Sequence, residues 1–326
     1  PRARHKVLLP TYPFQRQRYW LDTSQNRRGS NALSPLLDKM VQLPATQETL
    51  FETAMSAATL PFLRDHRVDD TIVAPGACHL AMVLNAAALA LTPETHAGQP
   101  LRLVDVIFPQ PLALGDDETR TAQLLLTPTH SDDQEPTTRF QLLSFAQAAT
   151  GTTPTTLHAQ GSVGATSMAT PAPLTLSALQ ARCSAAADLE TLLAAAASPL
   201  VFGPTFRWLE AAWHAPDYVG AVLTRLRRPT AVTTLAGYPI HPGLLDACFQ
   251  TPGLVPLFAA QPGELWLPFA VAALQLEAVE QSPTAESWWC HTEQVGAQTW
   301  NIRLFTEQGQ LLVAIDGFQL RATPPT

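Results

Sequence analysis

Charge is scarce in this chain. Asp, Glu, Lys and Arg make up 14% of its 326 residues, against about 25% in an ordinary globular domain. Twenty basic and 27 acidic residues leave a net charge of −7. Nucleic-acid binding needs Lys and Arg clustered against phosphates. The one basic cluster, Arg2 to Lys6 with Arg16, Arg18, Arg27 and Arg28, reads as a solvated linker instead. The four cysteines, Cys78, Cys183, Cys248 and Cys290, lie far apart and form no CxxC. That spacing argues against a disulfide framework or a zinc site and for reduced thiols in a cytoplasmic protein. No apolar run reaches the roughly 18 residues of a membrane span, and the first residues carry no signal-peptide stretch. An initiator Met is also missing, so a segment of a longer polypeptide is expected. There is no GxGxxG, P-loop, HExxH or GxSxG, so neither a nucleotide, a metal nor a serine-hydrolase nucleophile is expected.

Apolar residues, by contrast, are plentiful at 46%, enough for a large core. Residues 1–32 form a basic, aromatic arm. Residues 33–165 read as one globular half, 166–180 as a linker rich in Ala, Thr, Pro and Ser, and 181–323 as a second half. The halves look alike. Pro75-Gly76 opens an apolar stretch to Leu91, and Pro242-Gly243 opens another through Phe249, each read as a buried helix. Strand-like runs follow the first at Leu101–Phe108, Thr121–Thr127, Phe140–Ala146 and Leu157–Val163. They follow the second at Trp266–Leu267, Val271–Leu276, Ser287–Glu293, Thr299–Phe305 and Leu311–Leu320. A buried helix followed by an antiparallel meander, twice over, predicts a duplicated α+β fold. Residues 178–197 read as one further helix, serving packing only.

Two segments carry candidate chemistry. In Leu63 to Gly76, His66 precedes a Pro-Gly helix start. Backbone N–H groups and the dipole there suit a carbonyl oxygen gaining negative charge. Gly76 lets that carbonyl approach closely, and an imidazole near neutral pKa can take the proton alpha to it. In Tyr238 to Gln250, Asp246 and Gln250 stand four apart and share a helix face. A carboxyl on a buried apolar helix is costly to ionise, so its pKa should rise and keep a proton to donate. Gln250 can orient the carboxyl or a substrate hydroxyl. His241 reads as a structural neighbour rather than a second base.

Four segments taken together resemble the dehydratase domains of modular polyketide synthases. Leu9 to Trp20 (LPTYPFQRQRYW) is similar to the linker that follows the acyltransferase in such modules. His66 and Pro75 fit the family's HxxxGxxxxP pattern, with Asp70 at the glycine position. Val201 to Arg207 (VFGPTFR) resembles YGPxF, with Phe202 in place of tyrosine. His241 to Gln250, the fourth, matches HPxxLDxxxQ; beyond these four, Leu267-Pro268-Phe269 resembles the family's LPF segment. The resemblance implies a double hotdog fold, two halves each wrapping a sheet around a central helix. It implies a site between them with His66 as base and Asp246 as acid, and Pro75, Gly76, Phe202 and Gln250 against the substrate. That substrate would be a 3-hydroxyacyl thioester on the phosphopantetheine of an acyl carrier protein, with no cofactor or metal of the domain's own. Acyl carrier protein, neighbouring module domains and a second copy of the chain are the expected partners.

The departures keep relatives in view. Asp70 strains the turn if its position needs positive φ, and adds a charge if it lies near His66. Phe202 removes a phenol hydroxyl. A cyclase adding a distal hydroxyl across the new double bond, an isomerase moving that bond, and a catalytically silent scaffold remain alternatives. Retention of both His66 and Asp246 favours dehydration.

Overall fold

Pro75-Gly76 does open a helix: α1 runs Gly76–Ala90, with Pro75 as its N-cap. Every residue from Ala77 to Ala87 is buried, as expected of a helix that is apolar all round and swallowed by other elements. These coordinates come from a computed structural model that describes residues 32–91, 98–129, 137–146, 154–166, 175–195, 199–256, 264–278 and 284–323. The proposed linker arm, residues 1–32, therefore falls almost wholly outside the described residues. Helix α2 is Leu176–Arg182, α3 is Leu189–Ala195, and α4 is Pro242–Gln250. In α4 every residue from Pro242 to Phe249 is buried.

The strands of the first half are β1 (Lys39–Leu43), β2 (Glu48–Met55), β3 (His66–Val68), β4 (Thr71–Ala74), β5 (Leu101–Ile107), β6 (Leu112–Leu114), β7 (Arg120–Thr129), β8 (Thr137–Ala146) and β9 (Thr156–Ala165). Those of the second are β10 (Ala185–Ala187), β11 (Leu200–Phe202), β12 (Leu209–Ala215), β13 (Tyr218–Arg227), β14 (Leu265–Leu276), β15 (Ser287–Gly296), β16 (Thr299–Thr306) and β17 (Leu311–Thr323). The main sheet runs β1-β2-β7-β8-β9-β5 and continues β14-β17-β16-β15-β13-β12-β10. The join is an antiparallel pairing of β5 with β14, Leu103 opposite Leu274.

The strand order shows the duplication. In each half a hairpin of the main sheet lies ahead of the buried helix (β1-β2, then β12-β13). The strand after the helix goes to the junction (β5, β14). A three-strand meander (β7-β8-β9, β15-β16-β17) closes the gap. Helices α1 and α4 pack against each other at the centre. Burial alternates along β7 and β2, one face toward the core and one away. This is the double hotdog that the resemblance implied.

Several expectations need correction. The strands ahead of each helix were not foreseen. Trp266–Leu267 and Val271–Leu276 are one strand, β14, with a register shift between Pro268 and Ala270, where proline has no N–H for the ladder. The single helix expected at 178–197 is instead α2, then β10, then α3. Ala185, Ala186 and Ala187 pair with His214, Trp213 and Ala212 at the sheet edge, so tertiary pairing overrides alanine's helix propensity. Helix α2 also begins inside the stretch expected as linker, and Thr175 caps it by accepting from the Ala178 N–H at 3.3 Å.

Candidate active site

A small second sheet, β11-β3-β4-β6, ties the halves together. Strand β11 from the second half pairs antiparallel with β3 from the first, placing Phe202 directly opposite His66. Side chains directly opposite in such a pair share a face, and the two rings meet edge-on with centroids 5.5 Å apart. Phe206 approaches the same imidazole at 5.3 Å. The benzyl side chain of Phe202 thus packs as a wall against the imidazole.

The His66 imidazole is buried and held by its own hairpin. Its Nδ1 lies 2.7 Å from the Val73 carbonyl oxygen. A carbonyl only accepts, so Nδ1 carries a proton, and in the neutral ring Nε2 keeps the lone pair. Val73 faces His66 because β3 and β4 pair Arg67 with Ile72 and Val68 with Thr71. That register leaves a two-residue turn, Asp69-Asp70, with φ of 45° and 66°. Positive φ at both positions is the type I′ geometry that suits a hairpin's twist and favours Asn-Gly. Asp70 therefore stands where a left-handed residue is required. Its side chain is exposed at the hairpin tip and does not line the cavity.

Asp246 comes from the other half. It lies on α4, 5% exposed. Burial is the main force raising its pKa above the usual carboxylate value, while the nearby His66 and a hydrogen bond from Gln250 pull the other way. Gln250 Nε2 donates to Asp246 Oδ2 at 2.9 Å and to the Phe206 carbonyl at 3.3 Å, so the two side chains meet on one face of α4. His241 caps α4: its Nδ1 accepts from the Gly243 N–H at 3.1 Å. Burial lowers its pKa to about 4, which suits a neutral cap. Gly243 has no room for a Cβ, which would come within 2.6 Å of Trp208 Nε1 and 2.8 Å of the Thr205 carbonyl.

His66, Pro75, Gly76, Phe202, Asp246 and Gln250 all line one cavity of about 960 Å³ between the halves. Phe108 closes over Gly76, its ring 3.2 Å from where a Cβ would sit. Among the described residues, no group of three or more His, Cys, Asp or Glu is arranged to hold a metal ion.

A family model described as polyketide synthase dehydratase domain matches residues 34–144, and one described as polyketide synthase dehydratase N-terminal domain matches residues 171–326. The solved dehydratase domain from the CurJ module of curacin polyketide synthase is 30% identical, with a TM-score of 0.76 over 90% of this chain and 97% of that one. The chain belongs to the polyketide synthase dehydratase family. Among curated relatives of this dehydratase domain, spectinabilin polyketide synthase system protein NorA' of Streptomyces orinoci is 30% identical over 75% of the chain. Mycoketide-CoA synthase of Mycobacterium tuberculosis is 28% identical over 85% of it. The chain spans only 7% and 6% of those two proteins.

The dehydratase domain also holds residues that sequence reasoning overlooked. The Asp65 carboxylate accepts from the Thr205 N–H at 2.9 Å and from the Thr205 hydroxyl at 2.8 Å, and the Asp65 carbonyl accepts from the Gly203 N–H at 2.6 Å. This clamp fixes the Phe202-Gly203-Pro204 turn to the residue beside His66. A Cβ on Gly203 would lie 2.4 Å from the Asp65 carboxylate, so that turn needs glycine. Asp65 and Thr205 are 140 residues apart, and no spacing signal links them. His79 and His158 also line the cavity.

Proposed function

We propose that this domain removes water from a 3-hydroxyacyl thioester to give the 2,3-enoyl thioester during polyketide chain extension. The thioester oxygen sits at the start of α1, where the first N–H groups of a helix have no partner within it. Gly76 gives that oxygen room. His66 Nε2 takes a proton from the carbon alpha to the carbonyl. Asp246, protonated, donates to the beta hydroxyl as its C–O bond breaks. The electron pair of the C–H bond becomes the new double bond, and one water leaves. Phe202 and Phe206 exclude bulk water from the imidazole, which favours the proton transfer.

The observation that carries this reading is a matched pair from opposite halves. The Val73 carbonyl accepts the hydrogen bond from His66 Nδ1, which leaves Nε2 of the neutral ring to accept, and burial raises the Asp246 pKa above the usual carboxylate value. An accepting nitrogen and a carboxyl whose charged form is disfavoured, lining one cavity, suit a base and an acid. Within a longer synthase, the domain's partners on this reading are an acyl carrier protein bearing the substrate on phosphopantetheine, neighbouring module domains and a second copy of the chain. Its compartment on this reading is the cytoplasm, where thiols stay reduced; none of the four cysteines forms a disulfide.

The test is incubation with a 3-hydroxyacyl pantetheine thioester, followed by mass spectrometry for loss of one water. The wild-type chain is expected to turn over. His66→Ala and Asp246→Asn should each slow it by about 10²–10⁴-fold, the usual worth of a general acid or base, with the circular dichroism spectrum unchanged. Water loss persisting at the wild-type rate in both variants would refute the assignment. A cyclic ether from a substrate with a second hydroxyl, or a shifted double bond from a 2,3-enoyl substrate, would point to the cyclase or the isomerase.

A further inference from the structure

The duplication relates two side chains as well as two folds. With Pro75-Gly76 aligned on Pro242-Gly243, His79 falls on Asp246, each three residues beyond the glycine of its own helix. Because the halves repeat one topology around α1 and α4, these positions are counterparts, and both side chains line the cavity. Asp246 has Gln250 as a partner. His79 is 2% exposed, and neither of its ring nitrogens has a hydrogen-bond partner among the described residues.

The two rings nearest it do not supply one. The Phe108 ring lies 6.4 Å away and the His158 ring 6.0 Å. His158 is already engaged, Nε2 with the Ser144 hydroxyl at 2.7 Å and Nδ1 with the Gln110 carbonyl at 3.0 Å. Buried polar groups nearly always find a partner, and one that does not calls for an explanation. Leucine would fill the same wall without that penalty. The other histidines of the cavity have partners: His66 has the Val73 carbonyl, and His158 has two.

We propose that His79 is a specificity-determining residue that hydrogen-bonds a hydroxyl on the acyl chain, beyond the carbons that react. The ring turns toward that hydroxyl on binding, since neither nitrogen faces solvent in this structure. Burial, with the nearby His158 and His66 rings, draws the His79 pKa down to about 3. A neutral imidazole has one donor and one acceptor nitrogen, which matches a hydroxyl and does not match a carboxylate or phosphate. Three residues along α1 is a rise of about 4.5 Å from Gly76. The recognised oxygen therefore lies a few carbon–carbon bonds from the thioester.

This inference rests on the dehydratase reading, because an acyl thioester must enter the cavity, but its test does not depend on turnover. Two pantetheine thioesters would be compared by calorimetry on the Asp246→Asn chain: 3-hydroxyhexanoyl, and 3,5-dihydroxyhexanoyl, whose added hydroxyl takes no part in the elimination. The dihydroxy compound is expected to bind at least about tenfold tighter. Adding His79→Leu should abolish that preference, and His79→Phe serves the same purpose should leucine not fold. A smaller preference in the parent, a preference that survives the apolar variant, or no binding of either compound overturns the assignment. Water loss by the wild-type chain without a hydroxyl preference defeats the His79 assignment alone, whereas absence of water loss defeats the dehydratase reading.

Discussion

The two central helices begin alike in sequence and differ in chemistry. Helix α4 starts at His241-Pro242-Gly243, and the His241 side chain accepts a hydrogen bond from its first turn. Helix α1 starts at Ala74-Pro75-Gly76, and Pro75 makes no side-chain cap there. One helix start is closed by the protein, and the other faces the cavity with Pro75 and Gly76 in its wall. The division continues along the helices. Beyond its cap, α4 presents Asp246 hydrogen-bonded by Gln250, while α1 presents His79, whose ring nitrogens have no hydrogen-bond partner among the described residues. Duplication produced two equivalent scaffolds. On the proposed mechanism the chemistry is divided between them: carbonyl binding and the base on the first half, the acid on the second.

A divided site works only if the halves are held in register, and Asp65 is the sharpest place to break that. Its carboxylate binds the backbone and hydroxyl of Thr205 across the small sheet. Asp65→Ala removes two hydrogen bonds to a part-buried carboxylate and frees the Phe202-Gly203 turn beside His66. Stability should fall by about 1–3 kcal/mol, the range for hydrogen bonds to a charged group. Water loss should slow by about tenfold or more, since small displacements of positioning groups are expensive. The checks are urea unfolding and steady-state kinetics. Asp65→Asn, which keeps one acceptor oxygen, should recover part of both. An alanine variant with wild-type kinetics would show that β11 needs no clamp.

The cap on α4 offers a smaller effect with a pH signature. His241→Ala removes an N-cap acceptor and should cost about 1 kcal/mol. His241→Asn keeps an acceptor suited to that position and should cost less. The sign of the pH effect follows from burial, which puts the folded-state pKa near 4 against about 6.5 for a free histidine. Above pH 6.5 both folded and unfolded forms are neutral. Below it the unfolded chain binds a proton that the folded chain refuses, so stability falls as pH drops from about 6.5 toward 4. The asparagine variant should show a shallower fall over that window in thermal unfolding. An equal slope would assign the acid sensitivity to other groups. His79 and His291, lowered to about 3 and about 4 by burial, would be the next to test.

The parts of this architecture written in short-range pattern could be read in advance. Pro-Gly marks both helix starts, and the four-residue spacing of Asp246 and Gln250 places them in contact. What escaped was written at long range. Strand β10 is a run of alanines that would rather be helical and is extended only because β12 lies beside it. The pairing of Asp65 with Thr205 exists only after the halves meet. His79 escaped for another reason. It stands three residues past a Pro-Gly, as Asp246 does, and the comparison of the two helices residue by residue would have shown it. Repeats carry information at equivalent positions that no single motif holds.

Asp70 gives the smallest expected effect and separates two physical causes. It occupies the second position of a turn with φ of 66°, where an L-residue pays a steric cost that glycine does not. Asp tolerates this region better than most residues, and glycine brings extra unfolded-state entropy. Asp70→Gly should therefore gain only about 0.5–1 kcal/mol, read as a rise of about 2 °C in Tm. Asp70→Asn retains the left-handed tolerance and removes the charge, so it should leave Tm nearly unchanged. The Asp70 side chain is exposed and outside the cavity wall, which predicts the same pH–rate profile for both variants and the wild type. A profile displaced equally in Gly and Asn variants would mean that the charge reaches His66 through solvent. A profile displaced in Gly alone would mean that turn strain sets the hairpin register, and with it the grip of the Val73 carbonyl on the imidazole.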